Sequence, residues 1–508
     1  MSPADTLPRK LAAFGTLIPV AILIGYAVSQ PLDYLSLTVL IGMAVLLTVP
    51  ILIGAHHLFL VATWNASLTV FFLPGKPRLW MLATVISLGL ALLGQLLDRK
   101  RQPIRVPSVT WTLIALAVVV AITMQLRGGI GMHSLGGSTY GGRRYVEVIL
   151  AIAGYFALTS QRVPLEKVPL YITLFFLSSL TAAMSNLVYM AGPGLWWLFL
   201  LFPTDLALSQ AASDLSLDPS LQAGPKRVAG IAFATMGPYM FMLARYGVKG
   251  VLDLRRPWRL VLFLVIMAVG ASGGFRSVLI LFGLIFLIQF YLEGLHRSPL
   301  LPALILAGIL GFIGLFLFAT RLPLPIQRTV SVLGVPVNPV AKYDADYSKE
   351  WRIKIWEILL PDLPSYLLIG KGYTLDPTDL YLTQQAVKRG LAQDYESALR
   401  AGDYHSGPLT LYIPLGGLGF LAFGAFLVAG LRLLLANYRY GHPSLRGINT
   451  FLLAFFLARI VFFFLAFGAF SSDVMLFTGT VGFSAALNGG VARKPNETPT
   501  NRAALTST

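Results

Sequence analysis

From residue 11 onward the chain repeats one pattern: apolar runs of roughly 18 to 22 residues, each long enough as a helix to cross a ~30 Å hydrocarbon core, separated by polar connections. The chain is 56% hydrophobic and only 12% charged, so few charges are available to interrupt those runs. The pattern predicts an all-α, polytopic helical membrane protein with twelve to fourteen transmembrane helices. The expected spans are 11–29, 34–54, 56–73, 79–97, 107–125, 146–160, 168–190, 227–246, 258–274, 277–293, 299–319, 407–435, 447–468 and 471–489. The first follows Arg9 and Lys10 and could pass for a signal peptide, but with so many spans behind it and no A-x-A-like site it reads as a retained helix. The third contains His56, His57 and Asn65 and is either a span or a re-entrant or interfacial segment.

A net charge of +17 invites a nucleic-acid reading, and its distribution argues against one. Residues 320–404 contain ten basic and ten acidic side chains, so the other 29 basic and 12 acidic residues carry the whole excess. The densest clusters lie in short connections: Arg99-Lys100-Arg101 with Arg105, the stretch from Arg245 to Arg259, and Arg432, Arg439 and Arg446. That is the positive-inside signature of cytoplasmic loops, with no nucleic-acid partner implied. The absence of cysteine excludes a disulfide scaffold.

Placing the basic clusters inside puts both termini in the cytoplasm and sends 126–145, 191–226 and 320–404 outward. The chain then divides into N-terminal transmembrane helices (1–256), helices around an arginine motif (257–319), a large outer loop (320–404), C-terminal transmembrane helices (405–490) and a polar, disordered cytoplasmic tail (491–508). The first outer loop is Gly-rich and reads as a flexible turn; it lacks the Gly-Lys-Ser/Thr of a phosphate-binding loop. The second carries the run from Leu195 to Phe202, too short to span but suited to the headgroup zone through Trp196 and Trp197. The third is too long to be a mere connector. Its stretches 351–368 and 380–401 have helical spacing, which predicts a small helical cap on the outer face.

Two residues stand out as candidates for chemistry. His405 is followed by Ser406, a good N-cap, and Pro408, which suits a first helical turn. It should therefore stand just before a span begins, where the positive end of the helix dipole disfavours imidazolium and leaves a neutral base, with Asp403 nearby. Arg276 occupies the outward tip of a helical hairpin. So close to hydrocarbon it either snorkels to the headgroups or offers a planar fork to a phosphate. Arg352 with Lys354 could help hold an anion, although Glu350 and Glu357 could equally neutralise them. Arg143, Arg144, Arg321 and Arg328 are further outward cations without assigned roles. Asp344-Ala-Asp346 has the form of a metal-dependent sugar-transfer motif but reads as a solvated face.

Three stretches carry a resemblance. His405-Ser406, nine residues, then Gly416-Gly-Leu-Gly419 resembles the outer-loop motif of the O-antigen ligase and polymerase superfamily, His-[Asn/Ser/Gln], nine residues, Gly-x-x-Gly. Arg276-Ser-Val-Leu-Ile280 is similar to that family's Arg-x-x-x-Leu, with Ile as the last residue. The stretch from Arg352 to Tyr373 resembles the Arg…Trp…Gly-x-Gly pattern of the same loop, and all three stand in the family's order over about 258–489. The resemblance implies a lipid-linked oligosaccharide transferase of GT-C-like architecture in the bacterial inner membrane, with its site on the periplasmic face. It would take a glycan from undecaprenyl pyrophosphate and pass it, with inversion, to a hydroxyl of lipid A-core or of another glycan.

In that chemistry His405 is the expected base, and Arg276, with Arg352 as helper, the expected pyrophosphate-binding pair. Pyrophosphate is already a good leaving group, so arginines could replace a metal, and no metal or other cofactor is expected. The rivals are a multispan flippase or transporter for lipid-linked glycans, which should show charged residues at mid-bilayer or two similar halves, and a peptidoglycan glycan-strand polymerase. The cysteine-free sequence makes the topology directly testable. With single cysteines replacing Lys388 or His442, an impermeant maleimide applied to intact cells should label position 388 and reach 442 only after permeabilisation; the reverse pattern inverts the assignment.

Overall fold

A computed structural model describes residues 53–98, 102–129, 131, 141–215 and 226–494, with isolated positions before 53. The spans expected at 11–29 and, but for a few positions, 34–54 lie outside the described residues. So do Arg99-Lys100-Arg101, most of the Gly-rich loop and the tail beyond 494. The chain forms two units, residues 1–59 and 60–508. The described stretch at the end of the first is helical, part of a short apolar helix Ile53–Thr63 that carries His56 and His57.

That helix ends well short of the span expected at 56–73. Residues 64–78 run as turns and extended backbone, with an isolated bridge between Thr69 and Arg78. Pro74-Gly75 and Pro77 cannot continue a helix.

The rest of the second unit is helical among the described residues. Its helices in chain order are α1 (Leu79–Leu97), α2 (Pro107–Arg127), α3 (Gly142–Leu158), α4 (Val168–Leu177), α5 (Ala183–Ala191), α6 (Asp205–Leu215), α7 (Ala229–Ala234), α8 (Met236–Val251) and α9 (Pro257–Ser272). Then follow α10 (Arg276–Leu292), α11 (Leu300–Phe318), α12 (Leu324–Val330), α13 (Pro339–Leu359), α14 (Pro377–Lys388), α15 (Asp394–Ala401), α16 (Gly407–Tyr440), α17 (Arg446–Leu465) and α18 (Phe470–Asn488). Among the described residues, seven helical stretches are long and apolar enough to cross a membrane: α1, α2, α4 to α5 as one run, α11, α16, α17 and α18. Ile53–Thr63, α9 and α10 are shorter apolar helices.

Burial is uneven among them. α18 is enclosed along most of its length, packing on α3, α16 and α17, whereas no residue of α11 is buried. Small residues allow the enclosure: a Cβ on Gly479 would stand 2.1 Å from Trp64 Nε1, so only glycine admits that ring. The segment between α11 and α16 is itself helical and is punctuated by its own caps. Asn338 and Asp376 accept the backbone N–H groups that open α13 and α14, Gln393 and Glu396 form a capping box on α15, and Gly402 closes α15 in the left-handed conformation. The single helix expected over 380–401 is thus two, separated by a turn at Arg389-Gly390.

The element that positions everything near His405 is α16. Its 34 residues would span ~50 Å as one rod, but Gly416 (φ 72°, ψ −172°), two residues after Pro414, breaks it. The expected span at 407–435 is therefore a short N-terminal helix followed by a membrane-length one. A break leaves backbone groups without partners, and in an apolar setting they must find others. Residues 367–372 supply them. Lys371 and Gly372 donate to the carbonyls of Ile413 and Pro414 at 2.9 and 3.0 Å, and Gly417 and Leu418 donate to those of Leu367 and Leu368, both at 3.2 Å. The approach requires glycine on both sides, since a Cβ would meet Pro414 C at 2.2 Å from Gly370 and Leu368 O at 2.5 Å from Gly416.

Gly416→Ala combines a left-handed conformation, costing about 1–3 kcal/mol, with a clash against backbone. We expect the detergent-purified variant to melt several degrees below wild type, with Gly424→Ala, where a Cβ meets nothing, unchanged; equal melting of both would remove the strain at 416.

Candidate functional site

His405 stands two residues before α16, where the sequence places it, but Ser406 makes no side-chain cap. The turn is set instead by its neighbours. Tyr404 is buried in a cluster with Ile355, Leu359, Leu409 and Ile413, its carbonyl accepts from Trp356 Nε1 at 3.2 Å, and Asp403 N donates to Ala398 O. Held from both sides, His405 adopts a positive φ of 49°, rare for a residue with a side chain. Its ring lies against Trp351 (centroids 4.8 Å apart, edge to face) and Phe467 (5.3 Å). Nε2 is 3.6 Å from Asp403 Oδ2, and Nδ1 is buried without a hydrogen-bond partner. Burial holds the imidazole below the ordinary histidine range. Asp403 opposes that, and the positive charges of Arg352 and Arg227 add to it. The sequence expected a neutral imidazole because of the helix dipole; burial is the leading cause here.

Arg276 is the first residue of α10, at the turn after α9, and its Nη2 donates to Ala345 O at 2.9 Å. A cation at a helix N-terminus opposes the dipole, so an anion bound there would be favoured twice. Arg352 lies two turns further along α13 from Ala345, half-buried, with its guanidinium over the Phe467 ring at 5.9 Å, the same ring His405 touches. Burial first, then the charges of Arg276 and Arg227, lower the Arg352 pKa. Arg276 touches α13 at Ala345 and His405 touches it at Trp351, six residues or ~9 Å of helix apart. The three expected site residues thus gather along one helix.

Lys354 does not join them. It is exposed and lies 4.0 Å from Glu357, an ordinary surface pair. Asp344 is not the solvated acid the sequence suggests: Arg227 Nη2 donates to both its oxygens, at 3.1 and 3.2 Å, and buried Arg328 contacts Oδ2 through Nε. Arg328 also donates to Ser348 Oγ (3.0 Å) and Gly274 O (2.5 Å), so Asp344 and Ser348 lock α13 to the turn before Arg276. Burial pushes Arg328 down to about 10, which leaves it charged at neutral pH.

Arg227 is the residue that sequence reasoning missed. Standing at the edge of an apolar run it looks like one more flanking charge, yet Val228 N donates to Gly273 O, which ties it to the same turn. The other cations expected to face outward make contacts within the fold. Arg144 donates to Ala401 O (2.8 Å) and Gly402 O at the end of α15, Arg143 pairs with Glu147, and Arg321 lies over Phe318. Also unforeseen is a buried ion pair within the last two spans, where Arg459 Nη2 donates to Asp473 Oδ1 at 2.5 Å. Opposite charges in two consecutive apolar runs were the signal that could have shown it.

Beside the His405 turn, Pro408, Leu409, Tyr412 and Phe420 of α16 face Leu363 and Leu367 across an open apolar groove of about 580 Å³. Among the described residues no cluster of three or more His, Asp or Glu side chains is placed to hold a metal.

No protein-family model matches the chain, and no characterised protein matches it in sequence. What the fold itself defines is a multi-pass helical membrane protein.

Removing the Asp344 carboxylate would leave buried Arg328 without its counter-charge, a change that typically costs about 3–5 kcal/mol. We expect Asp344→Ala to melt well below wild type, while exposed Asp346→Ala shifts stability by no more than about 0.5 kcal/mol. Equal thermal stability of the two variants would show that the arginines need no carboxylate.

Proposed function

We propose that the chain is a lipid-linked oligosaccharide transferase of the O-antigen ligase or polymerase type, with GT-C-like architecture and its site on the periplasmic face of the bacterial inner membrane. The observation that carries this is the alignment, along α13, of a half-buried, neutral imidazole with two half-buried guanidiniums beside an apolar groove. Such a set answers the three parts of an undecaprenyl-pyrophosphate glycan. The groove suits the prenyl chain, Arg276 and Arg352 suit the diphosphate, and His405 faces the reacting sugar.

In the reaction, an acceptor hydroxyl on lipid A-core or another glycan attacks the anomeric carbon from the side opposite the diphosphate, inverting it. The new C–O bond forms as the bond to the diphosphate oxygen breaks. The leaving electron pair stays on the diphosphate, where the guanidiniums stabilise it. The hydroxyl proton passes to His405, whose neutrality at pH 7 is what a general base needs. With arginines taking the departing charge, the reaction is metal-independent.

A flippase for the same lipid is the second reading, favoured by the charged Arg459–Asp473 pair inside the last spans. That pair is closed on itself, with Asp473 also accepting from Ala469 N at 3.0 Å, which suits a structural tie better than a transport path.

Purified protein in nanodiscs, given a synthetic undecaprenyl-pyrophosphate glycan and an acceptor, separates the two. His405→Ala should lower transfer by about 10²–10⁴-fold, and Arg276→Lys, which keeps the charge and loses the fork, by at least about tenfold. Because the imidazole pKa is lowered, wild-type activity should persist below the ordinary histidine value of about 6.5 and fall as pH drops through the lowered one. Wild-type turnover by His405→Ala would remove the proposed base.

A further inference from the structure

One face of α13 carries a feature with no part in the scheme above. Tyr343, Tyr347 and Trp351 follow one another at intervals of four residues, so on a helix they form a single ascending row with ~6 Å of rise between rungs. The first two rings are stacked, 6.3 Å between centroids and 23° between planes, and they are open to solvent, Tyr343 being 73% exposed and Tyr347 41%. The third rung is the ring packed edge to face on His405. Tyr347 is not a free side chain, because its hydroxyl donates to Asp394 Oδ2 at 2.9 Å on α15, so a second helix fixes the middle ring.

Flat, pre-oriented aromatic faces that remain uncovered are costly to expose unless something binds them. Three chemistries could cover them: lipid headgroups, a protein, or sugar. The surrounding polarity favours sugar. Asp346 and Glu350, on the flank of the row by helical spacing, and Asp394 beside Tyr347 bring carboxylates to it, while Lys354, three residues beyond Trp351, and Lys342 bring ammonium groups. Mixed donors and acceptors suit hydroxyls, and the three carboxylates leave no purely cationic patch for phosphate-bearing headgroups. The C–H face of a pyranose is electropositive and stacks on the electron-rich face of an aromatic ring. The rung spacing is also close to the length of one hexopyranose.

We propose that Tyr343, Tyr347 and Trp351 form a track that binds a neutral or amino-bearing glycan chain, one pyranose per ring, and leads it to His405. The proposal rests on the transferase reading for the direction of the track, and supplies what that reading lacks, a place for several sugars of one substrate. Uronic-acid glycans are disfavoured by the flanking carboxylates.

Binding can be read without turnover. Full-length protein in nanodiscs is titrated with maltohexaose, chitohexaose and hexagalacturonate, and contacts are followed by saturation-transfer NMR. We expect the two neutral or N-acetylated hexasaccharides to bind with millimolar Kd and to receive saturation on their ring C–H protons, with hexagalacturonate at least tenfold weaker. Tyr343→Ala with Tyr347→Ala should weaken binding at least tenfold, and Tyr343→Phe with Tyr347→Phe should leave it within threefold. Failure of both neutral hexasaccharides to bind, or equal binding by the double alanine variant at unchanged Tm, overturns the track. So does strong quenching by brominated lipids of the fluorescence that Tyr343→Trp adds to that of the eight native tryptophans, which would place the rung in the bilayer. Retained sugar binding in a protein that transfers nothing would sink the transferase reading alone.

Discussion

A helix can be interrupted in an apolar environment only if other groups take up the hydrogen bonds it gives up, and the interruption of α16 at Gly416 meets that condition with one segment, 367–372. Glycines from two separate motif-like stretches, Gly370 with Gly372 and Gly416 with Gly417, contribute to one joint. It fastens the middle of the long polar segment onto the helix that begins two residues after His405. Arg127 and Tyr145 reinforce it, the first donating to Gly370 O at 3.0 Å and the second accepting from Tyr373 N, also at 3.0 Å. The imidazole's position is thus fixed by backbone pairing as much as by its own contacts.

The second constraint is electrostatic. Arg227, Arg276, Arg328 and Arg352 converge on one helix, and Asp344 is shared by two of them. Guanidiniums this close repel one another, and burial first, with that repulsion added, lowers the pKa of Arg352. A diphosphate would relieve it, so the same crowding that costs stability without ligand favours binding an anion. His405 sits at the margin of this field, which adds to burial in keeping its ring neutral, while Asp403 can stabilise the imidazolium that forms on proton transfer.

Much of this was legible in the chain. The apolar runs identify the helices, and Ser406 and Pro408 correctly place a helix start after His405, although the serine side chain caps nothing. Arg276 stands out because a cation at a hairpin tip has few benign explanations. The failures have physical causes. Pro414 and Gly416 sit inside an unbroken apolar run, so hydropathy alone shows one span where there are two helices. Arg227 and Asp344 are 117 residues apart, and no local pattern links them, so Asp344 reads by its own neighbourhood as a solvated acid and Arg227, at the start of an expected span, carries no signal of its own. Lys354 was grouped with Arg352 by proximity in sequence, but two residues along a helix point to different sides.

The central claim is that Arg276 and Arg352 hold a lipid diphosphate independently of the chemistry at His405. Equilibrium binding of undecaprenyl pyrophosphate, carrying no sugar, to the protein in nanodiscs measures this directly. Replacing both arginines by alanine should weaken binding at least tenfold, whereas His405→Ala should bind as wild type does. Equal affinity in all three proteins would contradict the claim and leave the arginine cluster without a ligand.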